Sequence, residues 1–323
     1  MGLGEYAEKQ YAAKMLVRYD EDPGVKHFGV EDFEGLKREE YSFVSGENRL
    51  AAWFYYYPAP RKDALVVFEH GLGNGHTAYL REIELLAKRG FLVFTYDHTG
   101  CMRSEGESVQ GFARSPMDLD NALRAVEAEE ALRGRKILVV GHSWGGFATL
   151  NVGAMHPEVT AAVAISGFRS ARAMLAQSVP FFARFLVSRI MKIEEKNNGK
   201  YAHLNAVESL KKGGVPTLVI HGDRDPVVHF GRHFLPIERA KLPNVRLLPV
   251  SGRGHSPHYA PEAEEYMTEF FRERARRAAA GGLTGEELVA FADSFDFWRM
   301  TEQDPEVWKE IISFLEEKTG DAS

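Results

Sequence analysis

The strongest constraint on the fold of this chain is a series of short, almost wholly apolar runs with helix-like segments between them. The runs are Ala64–Glu69, Phe91–Tyr96, Ile137–Val140, Ala161–Ile165, Thr217–Ile220 and Val245–Val250. Because their apolar character is continuous rather than alternating, they are typical of strands that a parallel sheet buries on both faces. Between them, Tyr79–Arg89 has apolar residues at helical spacing and ends before Gly90, a helix stop. This alternation predicts an α/β fold with a mostly parallel, doubly wound sheet.

Further segments complete the predicted organisation. Tyr41–Val44 and Leu50–Tyr57 flank a turn and predict an antiparallel hairpin, which brings the sheet to about eight strands. The interval after Ala161–Ile165 is too long for a plain connection and indicates a helical cap over the sheet. We predict an N-terminal helical extension over residues 1–40, core over 41–167, a helical cap over 168–213, and core again over 214–323. The last part includes a helix-rich insertion at about 261–300, which could shape a pocket or a dimer interface, and ends in a helix at Val307–Glu317.

The composition limits the classes of partner and compartment. The 323 residues carry a net charge of −6, so nucleic acid is not an expected partner. The one dense basic stretch, Arg272–Arg277, contains Glu273 and is interpreted as a solvated helix face. The single cysteine, Cys101, cannot form an intrachain disulfide. The first residues lack the apolar core of a signal peptide, and the apolar runs are too short to cross a bilayer. We therefore expect a cytoplasmic protein without stable membrane insertion.

A serine between glycines is the clearest chemical signal. The motif Gly141-His142-Ser143-Trp144-Gly145-Gly146 directly follows the predicted strand Ile137–Val140 and precedes a helical segment, Phe147–Met155. Such a serine sits in a strained strand-to-helix turn, so the residues two positions away must be small. The helix N-terminus behind it favours developing negative charge. The pattern alone is loose and also fits a glycine-rich turn with a buried serine, but its flanking elements favour Ser143 as a nucleophile.

Two loops strengthen this interpretation through a family resemblance. Residues 70–73 (HGLG) follow the first apolar run, and residues 96–106 (YDHTGCMRSEG) follow the next one. With the serine motif, they resemble the α/β-hydrolase superfamily, in particular its monoacylglycerol lipases, lysophospholipases and carboxylesterases. The resemblance covers roughly Tyr41 to His255 and the last helix, and it implies the α/β-hydrolase fold. Cys101-Met102-Arg103 depart from the family, whose loop is usually richer in glycine.

An oxyanion hole is expected beside the serine. One donor should be the backbone N–H of Trp144, the residue after the nucleophile. The resemblance points to the N–H of Leu72 as the second donor. Gly71, Gly73 and Gly75 would let this backbone approach a substrate closely. The alternative is an ordinary glycine-rich turn.

The acid and the base of a triad are expected on the loops after the last two predicted strands. The resemblance selects Asp225 as the acid, because the family's acid lies three residues after the glycine of this loop. Asp223 is the competitor and is interpreted as a turn cap or an arginine partner. His255 lies on a glycine-flanked loop beyond the last strand, where the general base belongs, and His258 is the alternative. The order Ser, Asp, His along the chain is that of α/β-hydrolases.

Other reactive residue types are interpreted as structural. His229 and His233 have helical spacing, but no glutamate completes an HExxH motif, so no metal and no cofactor are expected. Cys101 is interpreted as a partly buried small residue rather than a reactive thiol. These features leave the serine motif as the predicted centre of chemistry.

The predicted activity is hydrolysis of a small-molecule carboxylic ester through an acyl-enzyme. Gly71 and His142 are expected on the substrate side, and Phe181 and Phe182 of the cap suggest an apolar pocket for a lipid-like or aromatic acyl group. Those phenylalanines equally fit plain packing of the cap onto the core. Transient contact of the cap with lipid, and a homodimer, are both left open.

Other activities on the same scaffold are alternatives. An amidase or peptidase is less favoured, because iminopeptidase relatives carry HGGPG where this chain has HGLGNG. A thioesterase is also compatible with the motif. A ligand-binding protein without catalysis is disfavoured, since all the expected triad members are present.

Overall fold

The computed structural model describes residues 2–320, apart from the side chain of Phe181. It contains one eight-stranded sheet in the order β1-β2-β4-β3-β5-β6-β7-β8. The strands are β1 (Lys37–Ser45), β2 (Asn48–Tyr56), β3 (Ala64–Glu69), β4 (Leu92–Tyr96), β5 (Lys136–His142), β6 (Ala161–Ile165), β7 (Thr217–Gly222) and β8 (Val245–Val250). Strand β2 is antiparallel to β1 and β4, and all other neighbours are parallel. The predicted mostly parallel sheet is confirmed.

Helices cover both faces of the sheet. They are α1 (Leu3–Met15), α2 (Leu80–Lys88), α3 (Arg114–Ala128), α4 (Trp144–Asn151), α5 (Ala171–Gln177), α6 (Phe185–Asn198), α7 (Ala206–Gly213), α8 (Phe230–Arg239), α9 (Pro261–Ala279), α10 (Glu286–Asp293), α11 (Phe297–Met300) and α12 (Pro305–Thr319). Alternate residues of one strand pack against the helices on opposite faces of the sheet. In β5, Leu138 and Val140 pack with α2 and α12, whereas Val139 packs with α3 and α4. This arrangement explains why the strands are apolar at every position.

The N-terminal extension is helical over a shorter range than predicted. Only α1 and a short 3₁₀ turn at Val30–Asp32 are helical, and β1 already begins at Lys37. The chain between them contains Pro23-Gly24, which disfavours a continuous helix. Helix α1 packs on α6, where the Tyr11 hydroxyl donates to Glu194 at 2.6 Å.

The cap ends earlier than predicted, because α7 belongs to the core. Ala206 and Leu210 of α7 pack against Ala164 of β6 and Val219 of β7. The cap itself consists of α5, a 3₁₀ turn at Phe181–Ala183, and α6. The region from 261 to 300 contains α9, α10 and α11. No helix in the described part of the chain is both long and apolar enough to cross a membrane.

Candidate active site

The turn between β5 and α4 holds Ser143 in a backbone conformation that its neighbours must permit. Its φ is 57° and its ψ is −108°, a conformation that costs a non-glycine residue free energy. A Cβ at Gly141 would lie 2.6 Å from the carbonyl oxygen of Gly145, and one at Gly145 would lie 2.3 Å from that of Glu69. The small residues of the motif are therefore required by contact between the two strands and the helix.

Three side chains from separate loops meet at this turn. The Nε2 atom of His255 lies 2.9 Å from Ser143 Oγ, and its Nδ1 atom lies 2.8 Å from Asp225 Oδ2. An ionised carboxylate only accepts, so Nδ1 carries the proton and Nε2 is free to accept from the serine hydroxyl. The His255 side chain is 21% exposed, whereas the Asp225 side chain is fully buried. The arrangement can take a proton from Ser143 at a point that a substrate can reach.

The surroundings of Asp225 hold it as an anion. Burial opposes ionisation, but hydrogen bonds from His221 and His255 outweigh it and hold the pKa of Asp225 well below its usual range. Its other oxygen accepts from the backbone N–H groups of Val227 and Val228 at 2.8 and 2.9 Å. The buried carboxylate is thus both fixed in orientation and charged beside the base.

The competing aspartate has a different place. Asp223 is exposed, and it accepts from the Gly252 N–H at 2.7 Å and from the Ser251 hydroxyl at 3.1 Å. These bonds join the loop after β7 to the loop after β8. Asp223 therefore closes a turn rather than facing His255.

The backbone expected to form the oxyanion hole lies against the serine. A Cβ at Gly71 would lie 3.5 Å from Ser143 Cβ, so the loop after β3 borders the nucleophile. Among the hydrogen bonds of residues 2–320, none has the N–H of Leu72 or of Trp144 as its donor. Neither amide is therefore committed to a protein acceptor in the described part of the chain. The Gly71 N–H, in contrast, donates to the Tyr79 hydroxyl at 3.1 Å.

A hydrogen-bonded chain that the sequence did not reveal links this loop to the base. The Tyr79 hydroxyl lies 2.9 Å from His142 Nδ1, and His142 Nε2 lies 2.9 Å from the carbonyl oxygen of His255. A carbonyl only accepts, so Nε2 carries the proton and Tyr79 donates to Nδ1. Burial, with His255 and His258 nearby, lowers the pKa of His142 well below its usual range. His142 therefore acts as a neutral support, with both nitrogens engaged by protein groups.

The loop that carries His255 is also tied to the first turn of α9. The carboxylate of Glu264 accepts from the N–H groups of Gly254 and Ser256, each at 3.1 Å. Arg253 pairs with Glu264 at 3.3 Å and with Asp304 at 3.0 Å. The residues on either side of the base are thus anchored to the helix-rich insertion. No local motif signals this contact, since Glu264 is one of many helix-face carboxylates in the sequence.

The expected contribution of the cap phenylalanines is not found for Phe182. Its side chain is 80% exposed, and it does not line the cavity beside His255. In this part of the cap the inner face is taken by Ala183, Leu186 and Val187, which are buried, so Phe182 points to solvent. The side chain of Phe181 lies outside the described residues.

The remaining candidate residues are held in structural contacts. His258 is buried, and its Nε2 lies 3.2 Å from Glu82. His233 is buried as well, with Nδ1 facing the Arg169 N–H and Nε2 facing Gln177, whereas His229 is exposed. Cys101 is fully buried, and this burial raises the pKa of its thiol well above the usual range.

Within the described residues, one group has metal-ligand geometry, away from the triad. Ligand atoms of Glu127, His156 and Glu158 lie within 4.8 Å of one another. His156 already contacts Asp120 through Nε2 at 2.8 Å and Glu158 through Nδ1 at 2.7 Å. Burial opposes its protonation, but these carboxylates raise the pKa of His156. These carboxylates thus favour the protonated imidazole, which cannot ligate a metal ion through the same nitrogens.

This chain is similar to a family model, to curated proteins and to solved structures of known proteins. Residues 60–206 match a family model described as "Serine aminopeptidase, S33". Monoacylglycerol lipase from Mycolicibacterium smegmatis is 28% identical over 64% of this chain and 70% of its own length. The uncharacterized protein YfhR from Escherichia coli is 25% identical over 69% of this chain and 76% of its own length. The solved structure of the Pyrococcus furiosus esterase Pf2001 is 20% identical, with a TM-score of 0.59 over 82% of this chain and 97% of that chain. This last likeness shows a common fold.

Proposed function

We propose that the chain is a serine hydrolase of the α/β-hydrolase superfamily that cleaves carboxylic esters through an acyl-enzyme on Ser143. The observation that carries the proposal is the hydrogen-bonded series from Ser143 Oγ through His255 to the buried Asp225. A serine hydroxyl becomes an effective nucleophile when an adjacent base removes its proton during attack. No further group is needed for this chemistry.

In the first step, Ser143 Oγ attacks the ester carbonyl carbon while its proton passes to His255 Nε2. Asp225 stabilises the imidazolium that forms, because it is already ionised and hydrogen-bonded to Nδ1. The N–H groups of Leu72 and Trp144 donate to the oxyanion that develops on the carbonyl oxygen. Collapse of the tetrahedral intermediate breaks the bond to the leaving oxygen, which takes the proton from His255.

In the second step, a water molecule replaces the alcohol. His255, neutral again, takes a proton from the water as its oxygen attacks the acyl carbon of the acyl-enzyme. The second tetrahedral intermediate expels Ser143 Oγ, which recovers the proton from His255. The products are the free acid and the regenerated serine.

The relatives support an ester substrate and also leave one specific alternative. A monoacylglycerol lipase and an esterase are among the similar proteins, and both names describe ester hydrolysis. The matched family model is described as a serine aminopeptidase, which favours an aminoacyl amide as the second candidate. The same triad serves both bonds, so the substrate class must be decided by turnover.

The test measures hydrolysis of p-nitrophenyl esters from acetyl to palmitoyl, with aminoacyl p-nitroanilides assayed in parallel. We expect ester turnover by the natural chain and a loss of at least about 10³-fold in Ser143→Ala. Anilide turnover without ester turnover would replace the proposal by the aminopeptidase. Ester turnover that persists in Ser143→Ala would remove Ser143 from the mechanism.

A further inference from the structure

A cavity opens beside the candidate base, on the side of the helix-rich insertion rather than under the cap. Its volume is about 990 Å³, and it lies between the segment 25–27, α9, α11 and the loop that carries His255. Pockets for organic ligands usually measure about 300–1,000 Å³. The cavity is therefore large enough for a substantial part of a substrate.

The position of this cavity relates it to one side of the scissile bond. Its lining includes His255 and the flanking residues Gly254 and Ser256, whereas neither Ser143 nor Leu72 is among the described residues that line it. In a serine hydrolase the leaving oxygen must approach the base, because the base returns the proton to it. This position favours the leaving oxygen, rather than the acyl carbon, as the point of attachment for a group in this cavity.

Several apolar side chains of the cavity lining are exposed to solvent. Phe271 of α9 is 48% exposed, and Val227, in the loop after β7, is 45% exposed. Met267 and Phe297 are half-buried in the same lining. Exposed apolar side chains that gather in a concave surface, rather than singly, are typical of a site for an apolar ligand.

The charged side chains around the cavity balance each other. The lining contains three arginines, Arg224, Arg253 and Arg272, and three glutamates, Glu264, Glu265 and Glu269. Lys26 of the rim is paired with Asp293 at 2.8 Å, outside the lining. A surface with balanced charge gives little electrostatic preference for an anionic or cationic group. The geometry therefore fits a neutral group.

We propose that this cavity is the alcohol subsite of the enzyme and that it accepts a neutral, bulky apolar alcohol, aromatic or branched alkyl, as the leaving group of the ester. The inference rests on the proposed ester hydrolysis. It gives the insertion a role in selecting the alcohol, whereas the cap phenylalanines were expected to select the acyl group. The hydrogen bonds from Gly254 and Ser256 to Glu264 fix the position of α9, and so of this subsite, relative to the base.

The test compares two exposed phenylalanines, Phe271 in the cavity and Phe182 on the cap. Butyrate esters of methanol, benzyl alcohol and 2-naphthylmethanol vary the leaving group, and benzyl esters of acetic to octanoic acid vary the acyl group. We expect kcat/KM to rise with the size of the alcohol. Phe271→Ala should lower kcat/KM for the naphthylmethyl ester about tenfold and leave the methyl ester within about twofold. Phe182→Ala should change neither ester.

A second variant and a stability check keep the result interpretable. Phe271→Trp should also lower kcat/KM for the naphthylmethyl ester, because the larger ring reduces the cavity, and the melting temperatures of all variants should match that of the natural chain. An effect of Phe182→Ala alone, an equal loss for all alcohols, or a shift confined to the acyl series would overturn the subsite. Natural protein that hydrolyses no ester at all would instead overturn the proposed function, and the subsite with it.

Discussion

At the scale of single residues, the candidate site depends on small side chains and on one ionised carboxylate. Ser143 keeps its positive φ because Gly141 and Gly145 leave room for the strand and helix to approach. Asp225 is buried and accepts hydrogen bonds from Val227, Val228 and His255, whereas Asp223 is exposed and closes a turn. The aspartates and the glycines can each be tested by substituting the residue at the site and a matched control residue away from it.

The first prediction concerns the two aspartates. Asp225→Asn removes the charge that orients His255 and stabilises its protonated form, so kcat for an ester should fall about 10⁴-fold. Asp223→Asn keeps an acceptor for the Gly252 N–H and should leave kcat within about twofold. Steady-state hydrolysis of one p-nitrophenyl ester measures both. Equal losses in the two variants would contradict the assignment of the acid.

The second prediction concerns two helix glycines. A methyl group at Gly145 would meet the backbone oxygen of Glu69 at 2.3 Å, whereas one at Gly231 has no heavy atom within 4 Å. Gly145→Ala should lower the free energy of unfolding by about 2–3 kcal/mol, and Gly231→Ala, in α8, should raise it by about 0.5 kcal/mol. Urea denaturation followed by circular dichroism gives both values. A neutral Gly145→Ala would show that the two strands and α4 can separate at no cost.

At the scale of secondary-structure elements, one buried carboxylate joins the N-terminal helix, the cap and the core. Glu194 of α6 accepts from the Tyr11 hydroxyl of α1 and from the N–H groups of Phe112 and Ala113, which precede α3. Asn198, one turn later, donates to it at 3.2 Å. The extension and the cap are thus fastened at the same point.

The third prediction tests this junction. Glu194→Ala leaves the buried N–H of Ala113, the half-buried N–H of Phe112 and the Tyr11 hydroxyl without their acceptor, so the free energy of unfolding should fall by about 2–4 kcal/mol. The adjacent Glu195→Ala removes an exposed carboxylate and should change it by less than about 0.5 kcal/mol. Limited proteolysis should also cut the N-terminal segment of Glu194→Ala first. Similar stability in the two variants would argue against the junction.

The elements themselves were largely predictable, and their polar junctions were not. Strands such as Ile137–Val140 and Ala161–Ile165 are apolar at every position because helices cover both faces, and that pattern is visible in the sequence. Ser143, Asp225 and His255 lie in the loops that follow β5, β7 and β8, so the predicted strand ends were enough to locate these loops in the sequence. Contacts such as Tyr11 with Glu194 join residues far apart in the chain and leave no local pattern.

The errors in the sequence interpretation have physical causes. An aromatic pair in a helical segment does not reveal which face meets the core, and Phe182 proves to be on the outer face. The polar N-terminal region predicts one helical extension, whereas Pro23-Gly24 interrupts it. The sequence predicts a cap that extends to residue 213, whereas α7 packs on the sheet. An amphipathic pattern does not reveal whether a helix packs on a cap or on a sheet.

At the scale of the whole molecule, one buried acid, Glu69, should contribute to the pH dependence of the free energy of unfolding. Glu69, at the end of β3, is fully enclosed next to Tyr96 and His98. Burial raises its pKa from 4.5 to about 7, although His98 and the Tyr96 hydroxyl act in the opposite direction. The folded chain therefore binds this proton more tightly than the unfolded chain does.

The fourth prediction follows from the sign of this shift. The contribution of Glu69 to stability is complete below pH 4.5 and is lost as the pH rises toward about 7. Glu69→Gln cannot ionise, so its free energy of unfolding should fall less over this range than that of the natural chain. Glu130→Gln, an exposed control, should follow the natural chain. Parallel curves for the natural chain and Glu69→Gln would contradict the raised pKa.

The proposed function depends on Ser143 acting as a nucleophile that His255 activates. The most direct test is covalent labelling with a fluorophosphonate, followed by intact mass measurement and peptide mapping of the natural chain, Ser143→Ala and His255→Ala. We expect one added group on the natural chain, located at Ser143, no label on Ser143→Ala, and labelling of His255→Ala slowed by at least about 10³-fold. A folded natural chain that takes no label, or takes it at another residue, would rule out Ser143 as the nucleophile.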